Sequence, residues 1–532
     1  MNFRLETRGY VFAVLCIWLL ACIPIFVCDQ PVLADYPNHL ARIRVWLDAI
    51  DGNPSRYLAP IWALQPNLAF DLLTGLLAQF MPLELAGKIF VCLAILMVGV
   101  GPGLLNRAIA GHFSVWSLAP FLLVYNRLFF WGFVAYLFSL GLVFAVALLW
   151  VSPVRREART GIFLARSVAA FTVLLCHLYA FGVLGILVAC LVLPRLIQDK
   201  GCSIKERVGL ATQELLPLLV PLPIFSAFSP SAEYASSTSF GPFFRKLEAL
   251  PAPFIGPLGT LDAIVACLVV AVIGIAFFCR ILKVTPLTIT SVPLLLMMHL
   301  AMPDKLFSSY GADKRLPIAI AMLLFASSIS VAQTKNRRLS LVLPYILLFA
   351  FAIRVVALAV HWNGFSIIHR EHMAAIAMMD RDAKVLSLVG TEKPFGLPSL
   401  PITEYAAWAT VNQSAFWPGI FAYPVHAAQS IKFISNSEGF FPGTGVQKIP
   451  VQKLAGIVSA QSAIGQLIAD DLAPCFDFVL VASELPLDAA IGKSPLGELL
   501  FRKTHVALYL TAVQGKCLHP ERVTHQLEDI YD

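Results

Sequence analysis

Long apolar runs separated by short basic loops constrain this chain more than any other feature. The first run, from Tyr10 to Cys28, has about the 20 residues that a helix needs to cross a bilayer. Similar runs recur as far as residue 360, and only 13% of the 532 residues are charged. Because soluble proteins have about 25% charged residues, the sequence predicts a polytopic α-helical membrane protein.

The basic residues predict how the chain crosses the membrane. The net charge of +7 lies mainly in the short loops between apolar runs, as the positive-inside rule expects of cytoplasmic loops. It therefore does not indicate a nucleic-acid partner. Arg4 and Arg8 precede the first run, so we expect a cytoplasmic N-terminus and an outer first loop, 29–83, with a surface helix at 67–81. About eleven spans are expected near 10–28, 84–105, 113–126, 129–151, 161–176, 178–196, 209–228, 260–279, 285–302, 317–333 and 340–360.

The chain changes character after residue 360. Residues 361–532 contain no apolar run long enough to span, so they follow the transmembrane helical domain 1–360 as a separate α/β domain outside the membrane. About 170 residues are enough for a core of their own. The strand-like pieces are 384–390, 476–482 and 506–511, and the helical patterns are 452–470 and 486–500.

A polar cluster in the first loop is the best candidate for chemistry. It reads Asp35-Tyr36-Pro37-Asn38-His39-Leu40-Ala41-Arg42 and lies just outside the first span. Asp35 and His39 are four residues apart, so they lie near one another on a helix that begins at Pro37. A carboxylate there can act as general base, and the imidazole can orient or share the proton. The alternative is structural, with Asp35 as an N-cap and Arg42 as a basic interfacial anchor.

Further cations on the outer side are candidates for binding a phosphate. Lys314 and Arg315 are basic outside the membrane, against the usual bias, and Arg42 adds a guanidinium that suits a phosphate. His177, between two spans, is a further candidate, against the alternative of a polar residue that ends a helix. The other ionisable residues predicted on this side are Asp71, Arg127, Glu233, Arg245, Lys246, Asp304, Lys305 and Asp313.

The outer domain has two features of its own. Trp408 and Trp417 lie in an aromatic stretch that either stacks on sugar rings of an acceptor or belongs to the core. Cys475 and Cys517 are the two cysteines after residue 361, and each flanks a strand-like run. If these two strands are antiparallel neighbours, the two cysteines are expected to form a disulfide. No Cys/His spacing of a metal site occurs, so no cofactor is assigned and a divalent metal is not indicated.

The order of these features resembles the GT-C superfamily of membrane glycosyltransferases. The shared order is one span, an outer loop with an early acidic motif, a surface helix, short spans with basic inner turns, and a C-terminal outer domain. The first-loop string from Asp35 to Arg42 resembles a motif of mostly uncharacterised bacterial members. The resemblance implies transfer of a sugar from a polyprenyl-phosphate donor, with Asp35 in the place of the first-loop catalytic acid. Better-known members often have a paired acid there, where this chain has His39.

The sequence thus predicts a glycosyltransferase of the bacterial inner membrane, a hexosyl or pentosyl transferase with its site at the outer face. Its partners would be the lipid-linked donor and a glycan, lipid or protein acceptor. One alternative is a transporter or flippase of lipid-linked glycans, for which His299 and Arg354 would be intramembrane polar sites. Matched broken helices in two halves, which such a transporter should show, are not evident in the sequence. A second alternative is a non-catalytic envelope assembly protein.

Overall fold

The computed structural model describes residues 4–151, 159–198, 203–228, 238–306, 309–331, 337–391, 400–423, 429–434, 446–487, 491 and 494–511. The chain forms two compact units. Unit 1 consists of Met1–Ile25, Ala63–Leu73 and Lys88–Val360, and unit 2 consists of Phe26–Trp62, Thr74–Gly87 and His361–Asp532. Most of the first loop, which we expected to belong with the transmembrane helices, is therefore part of the same unit as the C-terminal region.

Most described residues are helical. The α-helices in chain order are α1 (Thr7–Val27), α2 (Tyr36–Ile50), α3 (Ala69–Leu77), α4 (Leu83–Ala110), α5 (Arg127–Phe130), α6 (Val134–Val146), α7 (Leu148–Val151), α8 (Arg159–Cys176), α9 (Leu178–Gln198), α10 (Ile204–Leu219), α11 (Pro221–Phe228), α12 (Phe243–Ala249), α13 (Thr260–Phe278), α14 (Pro286–Ala301), α15 (Leu316–Ser327), α16 (Arg337–Ile376), α17 (Leu400–Thr403), α18 (Ala407–Gln413), α19 (Val451–Val458) and α20 (Ala463–Leu467).

Within the described residues, eight helical stretches are long and apolar enough to cross a membrane, and α14 is a shorter apolar helix. The chain is therefore a multi-pass membrane protein, as predicted. The eight stretches are Thr7–Val27, Leu83–Ala110, Val134–Val151, Arg159–Cys176, Leu178–Arg195, Arg207–Ala227, Thr260–Phe278 and Arg338–Ile376.

Three of the eleven predicted spans, at 113–126, 285–302 and 317–333, contain no described helix as long as a bilayer crossing requires. The segment predicted at 113–126 contains a 3-10 helix, Val115–Leu123, with Pro120 inside it, and proline removes a backbone donor. The span predicted at 317–333 is α15, whose 12 residues extend about 18 Å against a hydrocarbon core of about 30 Å. The chain leaves α15 at Ser328 to form a strand.

Unit 2 contains a mixed five-stranded sheet. The strands of the whole chain, in order, are β1 (Arg4–Leu5), β2 (Leu58–Pro60), β3 (Phe113–Ser114), β4 (Leu282–Val284), β5 (Lys305–Leu306), β6 (Ser309–Tyr310), β7 (Ser328–Ser330), β8 (Val385–Thr391), β9 (Ile431–Phe433), β10 (Val446–Pro450), β11 (Phe478–Ser483), β12 (Glu498–Arg502) and β13 (Val506–Leu510). The sheet of unit 2 has the strand order β10-β8-β11-β13-β12, in which β8, β10 and β11 are parallel and β12 and β13 are antiparallel to their neighbours.

The burial of the central strands of this sheet explains why their sequences are continuously apolar. Every residue of β8 and β11 is buried, because the two strands are covered on both faces, and such strands are continuous apolar runs rather than alternating ones. The three predicted strands are confirmed as β8, β11 and β13, and the last two are antiparallel neighbours. The prediction of a helix at 486–500 is wrong at its C-terminal end, since Glu498–Arg502 is strand β12, which pairs with β13.

Candidate functional site

The first-loop motif begins helix α2 in unit 2. Pro37 stands in the first turn, where its fixed φ suits a helix start and its missing N–H leaves no donor unsatisfied. Asp35 occupies the N-cap position, but its side chain makes no capping hydrogen bond. The structural alternative for Asp35 as a side-chain N-cap is therefore not realised. The carboxylate is half-buried, and one helical turn separates it from His39, whose backbone N–H donates to the Asp35 carbonyl at 3.0 Å.

His39 and Arg42 form a buried pair on the same helix. The Arg42 guanidinium is 1% exposed and lies with its Nη2 2.8 Å from His39 Nδ1. A guanidinium can only donate, so Nδ1 accepts and the imidazole proton is on Nε2. Nδ1 of His39 is therefore engaged by Arg42, and the N–H of the ring is at Nε2. Arg42 also donates to the Gln429 side chain, and the His39 and Phe421 rings lie nearly perpendicular, with centroids 6.5 Å apart.

Asn38 ties this helix to the C-terminal part of unit 2. Its Nδ2 donates to Glu404 Oε2 at 2.7 Å, and its Oδ1 accepts from the Phe421 N–H at 3.0 Å. Asn38 is completely buried, so both ends of the amide are satisfied where water does not reach. Sequence analysis missed Glu404 and Gln429, because both lie more than 360 residues from their partners. We call Asp35, Asn38, His39, Arg42, Glu404 and Gln429 the first-loop cluster.

The two tryptophans of the outer domain are buried. Trp408 is 2% exposed and Trp417 is 0% exposed, so neither presents a ring face to a sugar. Trp408 packs on α18 against His369, with ring centroids 5.1 Å apart, and against Tyr36. Of the two interpretations from sequence, burial favours the one in which these rings belong to the core, and Trp408 lies there beside Tyr36 at the start of α2.

A second cluster of cations lies in unit 1, in the short turn before α15. Lys314 Nζ donates to the Tyr310 hydroxyl at 2.6 Å and lies over the ring of Trp131, 5.1 Å from its centroid. Arg315 is 5% exposed and lies between the rings of Phe133 and Tyr179, at 4.6 Å and 4.5 Å. Such contacts stabilise a cation in apolar surroundings. We call Trp131, Phe133, Tyr179, Tyr310, Lys314 and Arg315 the cation–aromatic cluster.

The two cations differ in what they offer a ligand. The Arg315 guanidinium donates to the Tyr310 carbonyl at 3.0 Å and to the Ser309 hydroxyl at 3.1 Å, so it orders the turn. Lys314 is only half-buried, and its ammonium has three N–H donors, one of which is directed to Tyr310. Lys314 is therefore the better placed of the two to meet an anion. The aromatic residues of this cluster were missed from sequence, although the dense aromatic stretch at 125–133 signals two of them, Trp131 and Phe133.

His177 borders the same cluster from the junction of α8 and α9. Its ring lies 5.1 Å from Tyr136 and 5.7 Å from Tyr179. Nδ1 accepts from the Tyr179 N–H at 3.2 Å, so this imidazole also has its proton on Nε2. Burial, and then the positive charge of Arg315, lower the pKa of His177 well below its usual range. His177 is therefore a neutral hydrogen-bonding residue near the cations and not a third positive charge.

The polar residues that would mark a transporter are paired within unit 1. Arg354 Nε donates to Asp262 Oδ1 at 2.7 Å, and both side chains are buried. His299 is completely buried between two backbone carbonyl groups. A buried charge in a membrane helix indicates an ion or substrate path only when it lines that path, and these side chains are directed to protein partners instead.

Two further sequence predictions concern cysteine and metal. Cys475 is buried and disulfide-bonded, and Cys517 lies outside the described residues, so their pairing stays a prediction. In the part of the chain that the structure describes, no group of three or more His, Cys, Asp or Glu side chains is arranged to hold a metal ion.

Comparison with known proteins identifies solved structures with a similar fold. No protein-family model and no curated protein matches the chain. Among solved structures it is similar to ArnT from Cupriavidus metallidurans in the apo state, with a TM-score of 0.50 and 12% identity over 94% of this chain and 97% of that chain. ArnT from the same organism bound to undecaprenyl phosphate gives a TM-score of 0.49 and 11% identity over 94% and 98%.

At this level of identity the likeness to apo ArnT concerns the fold. The ArnT-like fold and the eight candidate spans confirm the predicted polytopic helical architecture with a C-terminal region that contains a sheet. Membership of the GT-C superfamily, and of a branch marked by the first-loop motif, stays a prediction.

Proposed function

We propose that the chain is a membrane glycosyltransferase that takes a sugar from a polyprenyl-phosphate donor. The observation that carries this proposal is the cation–aromatic cluster. Lys314 and Arg315 provide positive charge among Trp131, Phe133 and Tyr179, which suits a ligand that joins a phosphate to an apolar chain. ArnT, whose fold is similar, has been crystallised with undecaprenyl phosphate, and we extend that ligand class to this chain.

The cations would act on the leaving group. During transfer the bond between the anomeric carbon and the phosphate oxygen breaks, and the phosphate leaves with the electron pair. Positive charge that is already in place stabilises this developing negative charge without reorganisation. Lys314 would meet the phosphate as a point charge, and Arg315 would keep the turn in place, with His177 as a neutral donor beside them.

The first-loop cluster would act on the acceptor. Asp35 would remove the proton of the acceptor hydroxyl as its oxygen bonds to the anomeric carbon, because a half-buried carboxylate one helical turn from an imidazole suits a general base. His39 would orient the acceptor through Nε2–H, since Nδ1 accepts from Arg42. Arg42 therefore fixes the tautomer of His39 in this proposal, rather than binding the phosphate as predicted from sequence.

The test of the catalytic assignment is Asp35→Asn. The change keeps the size of the side chain and removes the base, so transfer from radiolabelled polyprenyl-phosphate sugars by purified protein should fall by about 100-fold or more. Asp48→Asn is the matched control, because it removes a second carboxylate from the same helix and retains an oxygen that can accept from Ser414. A variant Asp35→Asn that transfers sugar like the wild type would remove Asp35 from the mechanism.

The proposal also needs the first loop and the C-terminal region outside the membrane of a bacterial cell. Both belong to unit 2, so reporter fusions after residues 55 and 400 should give the same external result, and a fusion after residue 203 should be cytoplasmic. A cytoplasmic result at 400 would contradict the proposed outer-face reaction.

A further inference from the structure

Three buried ionisable residues in unit 1 have no part in the proposed chemistry. His299 near the end of α14 is 0% exposed, Lys246 on α12 is 4% exposed, and Asp313 in the turn before α15 is 2% exposed. Burying such groups is costly unless they are paired and hydrogen-bonded. His299 and Lys246 both contact Asp313, the first residue of the turn that carries Lys314 and Arg315.

His299 joins two backbone segments through its ring. Nδ1 lies 2.9 Å from the Asp313 carbonyl oxygen, and Nε2 lies 2.9 Å from the Lys246 carbonyl oxygen. A carbonyl oxygen only accepts hydrogen bonds, so a ring nitrogen that carries a proton donates to the segment beside it. The ring therefore lies between α12 and the first residue of the turn.

Lys246 and Asp313 hold the same turn from the other side. Asp313 Oδ1 accepts from the Lys314 N–H at 2.9 Å, and Asp313 Oδ2 lies 3.6 Å from Lys246 Nζ. Lys246 Nζ also donates to the Met302 carbonyl, just beyond α14. Side chains and backbone groups therefore fix residues 313 and 314 from two helices.

We propose that His299 and Lys246 are positioning residues for Lys314. This inference rests on the proposed function, since it assigns them to the phosphate end of the donor. Lysine has a long flexible stem, so the place where its ammonium meets a phosphate depends on how firmly its backbone is held. A turn fixed before binding loses less conformational freedom when the ligand arrives, and affinity rises for that reason.

His299→Phe tests the inference, because it keeps a ring at this buried position and removes both ring nitrogens. The probe is undecaprenyl phosphate, titrated against purified protein in detergent. We expect its Kd to rise about tenfold, as for a loss of one or two hydrogen bonds. Lys246→Met, which keeps the stem and removes the charge, should act in the same direction. Ser291→Ala is the control, since the Ser291 hydroxyl is equally buried on α14 but donates within its own helix to the Leu287 carbonyl.

A double-mutant cycle separates positioning from general loosening. If His299 acts through Lys314, then His299→Phe should change the Kd by less than about twofold in a Lys314→Gln background. Equal effects in both backgrounds would overturn the proposal, and so would an unchanged Kd in both His299→Phe and Lys246→Met.

Hydrogen exchange distinguishes failure of this inference from failure of the proposed function. Amides of residues 309–316 should exchange faster in His299→Phe and not in Ser291→Ala, whether or not a lipid binds. If residues 309–316 exchange faster in His299→Phe but the wild type does not bind undecaprenyl phosphate, the donor assignment is refuted. The role of Lys314 in binding the ligand is then refuted as well. Normal binding by the wild type with unchanged exchange in His299→Phe would refute only the positioning role.

Discussion

The hydrogen bond between Asn38 and Glu404 allows a sharp test of how the first-loop cluster is held. Asn38→Asp keeps the shape and still accepts from the Phe421 N–H, but it replaces the donor 2.7 Å from Glu404 Oε2 with a second carboxylate oxygen. A lost hydrogen bond to a charged acceptor costs about 1.5–3 kcal/mol. Repulsion between two carboxylates at a completely buried position adds to this, so we expect a loss of about 2–4 kcal/mol at pH 7.

The loss should be reversed by a second change. In Asn38→Asp with Glu404→Gln the donor and acceptor exchange places, so the hydrogen bond can form again in the opposite direction. For a unit of roughly 200 residues, the single variant should lower the unfolding midpoint in detergent by about 5–12 °C. The double variant should recover most of that difference, and a coupling free energy of about 1–3 kcal/mol should result.

Glu404→Gln alone serves as the control, because its amide can offer Asn38 an oxygen and keep the hydrogen bond, though a weaker one. If the contact only orders α2, sugar-transfer activity should fall in the single variant and recover in the double variant together with the unfolding midpoint. Additive effects of the two changes would refute the reasoning, since they would mean that the two side chains do not act on one another in the folded protein.

Two further predictions follow from single residues. Lowering the pH from 7.5 to 5.5 should destabilise the wild type relative to His177→Gln, because His177 stays neutral in the folded protein whereas the unfolded chain takes up a proton below about pH 6.5. The difference at pH 5.5 should be about 1.4 kcal/mol, and identical pH dependence of thermal unfolding in the two proteins would contradict it. Cys475 and Cys517 should be recovered as one linked peptide pair by mass spectrometry of unreduced, alkylated protein; alkylation of both thiols without reduction would exclude the bridge.

Local patterns made much of the fold predictable. The continuous apolar runs that became β8 and β11 are recognisable because both faces of these strands are covered. The error at 486–500 has the opposite cause. Residues 498–502 are a half-buried edge strand whose pairing with β13 decides their conformation, and this pairing is not written in the local sequence. Pro120 is a comparable case, because hydropathy does not register the proline that accompanies a 3-10 helix.

Some features of the candidate site could likewise be predicted from sequence, and others could not. The spacing of Asp35 and His39 correctly placed them one turn apart, because helix geometry is local. The partners of Asn38 and Arg42 could not be inferred, since Glu404 and Gln429 come from distant segments with no motif of their own. Trp408 and Trp417 illustrate a third limit, because an aromatic stretch has the same composition whether it fills a core or faces a ligand.

The shared unit of the first loop and the C-terminal region has a consequence for biosynthesis. Asn38 and Glu404 are 366 residues apart, and Arg42 and Gln429 are 387 apart. A ribosome adding about 5–20 residues per second takes roughly 20–80 s to cover that distance. Helices of unit 1 can enter the bilayer during this interval, while α2 waits for the segments that complete its surroundings. Unit 2 is therefore the last part to mature, and a chain that terminates before residue 404 inserts its membrane helices without ever assembling the first-loop cluster.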